Sequence, residues 1–277
     1  MSSTRRILRV IEPQAVVEGA GVRLKRSIGT RTLDYLDPFL LLDHFESKNP
    51  ADYEAGFPLH PHRGIETVTY LLAGAVRHRD TLGNAGEIGP GDLQWMTAGR
   101  GIMHEEMPQV HPEGVAGFQL WVNLPAKQKM IAPRYQNINA NEISEIRRGA
   151  TIRVIAGSVD GVAGPIGGIA AEPTYLDVSL PSGGSFVQPI ARGHSAFAYV
   201  FEGEARFGEN LVASPKLVVW GDGDSVEVSA EKNPGRFLLV SGKPLNEPIA
   251  RHGPFVMNTR EEIEQTLREL RDGTFIR

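Results

Sequence analysis

Four side chains in this sequence have the type and spacing to hold a metal ion. His60 and His62 flank Pro61, and His104 is followed two residues later by Glu106. Residues two apart on a strand point to the same face, so each pair would project both of its side chains in one direction. Brought face to face, the pairs place three imidazoles and one carboxylate around one point. This nitrogen and oxygen set suits Fe(II), Mn, Ni, Cu or Zn, and ligand type alone does not choose among them. Four protein ligands on an octahedral ion leave two positions open for water, substrate or dioxygen, whereas a four-coordinate zinc would be closed and structural.

Other residues compete for a place. Glu66 shares the parity of His60 and His62, so it could face the metal or orient a histidine from behind. Glu105 should point away from the face of His104. His44 has no partner two residues away and reads as a hydrogen-bonded structural histidine. The elements that must position the ligands can be read too. Pro61 gives up a ladder hydrogen bond, so the His60–His62 segment belongs at an edge, a bulge or a strand start. The glycines of Thr97–Gly101 supply a tight entry that lets the His104 strand approach another backbone.

Thirty-one Gly and 19 Pro break the chain into short runs between turn signals, which predicts an all-β sandwich or barrel. Strand-like runs recur from Leu8–Ile11 to Arg236–Ser241, including Thr67–Leu72, Asp92–Met96 and Phe118–Asn123 around the ligand pairs. Asp37–Phe45 is apolar with polar brackets and leads into them as a buried strand or turn. The pattern stops near Asn123–Pro133, and Asn141–Ile146 reads as a short helical turn. Beyond it Ala196–Gly203 echoes Glu66–Gly74, and Trp220–Asp224 echoes Gly89–Asp92. A duplicated β module accounts for the echo, with domains at 1–135 and 136–277. One helix closes the sequence. Thr259 and Glu262 form a capping box, Gly273 ends it, and Ile263, Leu267 and Leu270 make one apolar face that should dock on a sheet.

Composition removes several function classes. With no cysteine there are no disulfides, thiolate metal sites or cysteine nucleophiles. A net charge of -4 gives no reason to expect nucleic acid or an anionic membrane as a partner. No stretch has the roughly 20 apolar residues needed to cross a bilayer, and an intracellular, cytoplasmic protein is expected.

The wording of several blocks then resembles one family. DPFLLLDHF at Asp37–Phe45, HPHRGIETVTYLL at His60–Leu72, GDLQWMTAGRGIMHEEMP at Gly91–Pro108, QLWVNLP at Gln119–Pro125 and HGPFVMNT at His252–Thr259 are similar to the pirin family of the cupin superfamily. That resemblance implies two tandem cupin domains, jelly-roll-like β-barrels, with a metal in the N-terminal one only. It implies His60, His62, His104 and Glu106 as the ligands and iron as the usual metal. The generic cupin pattern would have used Glu66; the pirin pattern uses the glutamate two after the third histidine. In the second half Arg192–Ala196 has no His-x-His, and His194 and His252 are isolated, so no second metal is expected.

Two functions follow from the resemblance. Some similar proteins are flavonol dioxygenases acting on quercetin, with a flavonol-like small molecule and dioxygen as partners. There the metal would acidify the flavonol hydroxyl, Glu106 or Glu66 would take its proton, and ring opening would release carbon monoxide. Others act as metal- or redox-dependent regulators that bind a transcription factor or metabolic enzyme, with candidate surfaces here around Arg63 and Arg100. The sequence leaves the oligomeric state open.

Overall fold

The runs bounded by glycine and proline are strands almost throughout. In a computed structural model of the chain, which describes residues 3–276, the only α-helix among those residues is Arg260–Arg271. The strand-like runs named above fall on strands, Thr67–Leu72 within Ile65–Ala73 and Phe118–Asn123 within Val115–Asn123, for example, while Asp92–Met96 begins one residue before its strand, Leu93–Thr97. Asp37–Phe45 enters the strand Phe39–Ser47. Asn141–Ile146 differs from expectation. A single 3-10 turn at Ala140–Glu142 gives way to the strand Ser144–Arg147, because Ser144 and Ile146 alternate inward against Glu145 and Arg147. That two-residue period outweighs local helix preference.

The chain forms two compact units. One comprises Ala15–Tyr35, Phe39–Ala140 and the segment from Leu245 onward; the other comprises the N-terminal segment as far as Gln14, Leu36–Pro38 and Asn141–Pro244.

The first unit, among the described residues, is built on two antiparallel sheets. A seven-stranded sheet runs in the order Arg134–Ile138, Leu93–Thr97, Ile65–Ala73, Val115–Asn123, Phe39–Ser47, Val22–Ile28, Gln14–Glu18. A four-stranded sheet runs Phe57–His62, Ile102–Gln109, Ala75–Asp80, Ala85–Ile88. Both stay open and cupin-like; neither closes into a complete barrel. Leu24, Leu71 and Val115 from the first sheet and Val76 and Ile88 from the second share one apolar core. Each such side chain contributes about 1.5–3 kcal/mol on burial. The helix begins at the predicted capping box of Thr259 and Glu262. It lays Ile263, Leu267 and Leu270 against Phe255, Met257 and Phe275, so it docks on the hairpin Ala250–His252/Phe255–Met257.

The second unit is a ten-stranded sheet arrangement whose interior is filled by side chains including Phe186, Phe207, Trp220 and Phe237. The buried Arg5 guanidinium donates to the carbonyls of Ala191, His194 and Gly221, tying the N-terminal segment to this unit. No described helix is long and apolar enough to cross a membrane.

Candidate metal centre

The Phe57–His62 strand lies at the edge of the four-stranded sheet, where its two prolines cost no ladder bond that matters. It pairs with Ile102–Gln109 so that His60 stands opposite His104 and His62 opposite Ile102. A bulge between His104 and Glu106 then shifts the register, placing Glu106 opposite Phe57. The entry to the His104 strand depends on Gly99, whose φ is +49°; a Cβ there would collide with the Ile131 carbonyl.

The two strands bring the three histidines together. One ligand atom from each of His60, His62 and His104 lies within 4.8 Å of the others. Ring centroids are 4.4 Å apart for His60 and His104, 4.8 Å for His60 and His62, and 5.0 Å for His62 and His104. His60 Nδ1 sits 2.9 Å from the Pro58 carbonyl, which fixes the proton on that nitrogen and leaves Nε2 as a lone pair. That Nε2 faces His62 Nε2 at 3.0 Å, close to the separation of two nitrogens bound side by side at about 2.1 Å from one ion. Both ring nitrogens of His104 are buried without a hydrogen-bond partner. Burial, reinforced by the adjacent imidazoles, holds His62 and His104 well below the usual histidine range. They are therefore neutral and competent to coordinate. Three imidazoles converging on one point, with both nitrogens of His104 buried and partnerless, have the donor chemistry that a divalent transition metal takes.

Glu106 is placed differently. It lies outside the group of three and lines the cavity beside it, with both oxygens engaged: Thr69 Oγ1 donates to Oε1 at 2.7 Å and Gln119 Nε2 to Oε2 at 2.9 Å. Glu105 points the other way, to Arg79 at 2.9 Å. Glu66 does not orient a histidine. It sits on the face of its strand opposite Thr69, takes the Thr97 hydroxyl at 2.7 Å, and is pushed up to about 7 by burial. His44 is buried and stacks on Phe118 at 4.8 Å, on the strand face opposite the cavity-lining Asp43 and Phe45. Arg63, expected on an exposed loop, is buried and paired with Glu269 at 2.7 Å.

Further residues join the site that the ligand pairs did not announce. Thr69 and Gln119 hold Glu106. His78 stands beside His104, with ring centroids 5.3 Å apart, stacks on Tyr135 at 4.8 Å, and has Nε2 3.3 Å from Asp80 Oδ2. His78 and Asp80 are two apart on a strand, the same signal that marked the ligand pairs. His60, His62 and Glu106 open onto a cavity of about 530 Å³ whose walls include Val22, Leu24, Phe45, Tyr53 and Trp121. A mostly apolar pocket of this size with a few convergent polar groups suits a small organic ligand.

Two open β units, one carrying three convergent histidines on adjacent paired strands, define a two-domain protein of the cupin class. The chain belongs to the pirin family: the Pirin family model matches residues 21–122 and the Pirin C-terminal cupin domain matches 175–276. A pirin-like protein of Caulobacter vibrioides is 46% identical over 98% of this chain and 99% of its own length. A Pseudomonas aeruginosa relative, named provisionally as a quercetin 2,3-dioxygenase, is 46% identical over 99% of both chains. The crystal structure of a quercetin 2,3-dioxygenase from Acinetobacter baumannii matches with a TM-score of 0.89 at 34% identity, covering 99% of each chain.

Proposed function

We propose that this protein is an iron-dependent dioxygenase of the quercetin 2,3-dioxygenase type, with His60, His62, His104 and Glu106 holding the metal. The observation that carries the reading is three histidines with mutually adjacent donor atoms, His62 and His104 buried and His60 half-buried, of which His60 and His62 line a cavity that Glu106 also lines. Bound there, Fe(II) would supply Lewis-acid polarisation of a substrate oxygen and electrons toward dioxygen.

The chain supplies the rest. Three neutral imidazoles and one carboxylate carry a single negative charge, so the donor set cancels only half of a divalent cation. The apolar walls exclude water and orient a flat aromatic substrate with its hydroxyl toward the histidines. Glu106 accepts the proton of that hydroxyl; Thr69 and Gln119 hold the carboxylate in place before the transfer and stabilise whichever oxygen stays charged. Glu66, turned to the opposite face, leaves this role to Glu106.

Quercetin added to Fe(II)-loaded protein in air should lose its flavonol absorbance as oxygen is consumed and carbon monoxide released. Glu106→Gln should lower turnover about 10²- to 10⁴-fold. Absence of turnover with Fe, Mn, Ni and Cu alike, together with oxidation-state-dependent capture of a protein partner, would replace this reading with a regulatory one.

A further inference from the structure

The histidine-bearing cavity contains two cations, and they are in different states. Arg26 is spent: Nε and Nη2 grip Asp43 at 2.7 Å each, and Nη1 holds Glu18 at 2.7 Å. Arg251, on the short strand Ala250–His252, lines the same cavity with its guanidinium 5.1 Å from the Trp121 ring. Trp121 in turn meets His62 edge-on at 5.1 Å. A cation, an indole and a metal-binding imidazole therefore follow one another along one wall. Arg251 makes only long contacts of its own, Nε to the Gly253 carbonyl at 3.3 Å and Nη1 to the Leu40 carbonyl at 3.5 Å. Among the described residues no carboxylate comes within ion-pair distance of it. Asp34, Asp43 and Glu18 act on it only through space, and the two of them that line the cavity, Asp43 and Glu18, are already engaged by Arg26. Arg251 keeps its charge, with its guanidinium carbon over the Trp121 ring. A planar cation with unspent donors beside an aromatic wall is built to take an anionic oxygen attached to a ring.

We propose that Arg251 is a specificity-determining residue of this cavity, which binds the carboxylate or ionised phenol of a planar aromatic ligand lying along Trp121. The proposal rests on the reading of the cavity as a substrate site, and it narrows the substrate class from any enolic aromatic to an anionic one.

The probes are 2-naphthoate and its uncharged counterpart 2-naphthamide. Their affinities are measured by calorimetry on protein as purified, with and without added Zn(II), for the native chain, Arg251→Met and Arg251→Lys. Arg251→Met keeps a similar apolar stem. It should weaken naphthoate about five- to tenfold, an effect reduced by the partial exposure of the site, and leave naphthamide unchanged. Arg251→Lys should fall between, since an ammonium lacks the fork. Equal weakening of both probes would show that Arg251 only packs against the wall. Undiminished naphthoate binding in Arg251→Met, or no saturable binding of either probe to the native protein, would also overturn the proposal. None of these measurements requires turnover. Failure of the flavonol assay and failure of this inference are therefore separate outcomes.

Discussion

Glu106 is held by two neutral donors, and that arrangement determines how the site should respond to change. Thr69→Val with Gln119→Leu would strip both hydrogen bonds from a buried carboxylate. The double variant should lose on the order of 1–3 kcal/mol of stability and bind metal about 10- to 100-fold more weakly, measurable by denaturation and by competition with a chelator. Glu66 allows a test with pH. Its carboxyl is raised from 4.5 to about 7 in the folded chain, so the folded state holds the proton more tightly than the unfolded one. Stability from this group is full below about pH 4.5 and is lost as pH rises through 7. Glu66→Gln should therefore gain relative to the native chain across that window, by up to about 3 kcal/mol, in parallel denaturation series at pH 4.5 and 8. The histidine group was legible because two-residue spacing survives any choice of sheet register. Thr69 and Gln119 were not, because their contact with Glu106 depends on which strands become neighbours. His78 and Asp80 carried the legible spacing and were simply not read as a pair.

At the level of elements, strands were readable from turn signals, and the helix from its capping box. The partner of the helix was not readable, since an apolar stripe at Ile263, Leu267 and Leu270 does not name the surface it covers. The answer lies in Arg63, the residue after His62. Its guanidinium pairs with Glu269, donates to Thr266 Oγ1 at 3.1 Å, and sits 4.5 Å over the Phe275 ring. Lys129 works beside it, buried and donating to the carbonyls of Gly64 at 3.0 Å and Val256 at 2.8 Å. The turn that follows His60 and His62 is thus clamped to the C-terminal hairpin and helix. Arg63→Met takes the countercharge from the buried Glu269 carboxylate, which still accepts from Gln265 Nε2 at 2.9 Å, and should cost about 3–5 kcal/mol. Hydrogen exchange should show the loss as faster opening of 57–66 and 260–271.

For the molecule as a whole, the two units differ in what fills them. The interior of the second is occupied by Phe186, Phe207, Trp220 and Phe237, whereas the first keeps a cavity beside its histidines. Metal should therefore protect only one of them. Saturating ion at about 100 times its dissociation constant contributes about 2.7 kcal/mol. Its slowing of amide exchange should be confined to the strands that carry His60, His62 and His104 and those paired with them. Uniform slowing across 141–244 would contradict this assignment.

The first unit takes its last pieces, the hairpin and helix after Leu245, from the far end of the sequence. During synthesis the His60–His62 turn leaves the ribosome long before Glu269 and Phe275 exist to hold Arg63. A nascent chain can form the sheets, but its histidine turn stays unclamped until some two hundred further residues have been made. If the histidines hold the ion proposed for them, its secure capture would wait for the hairpin and helix after Leu245. A chain interrupted before Glu269 would lack that clamp.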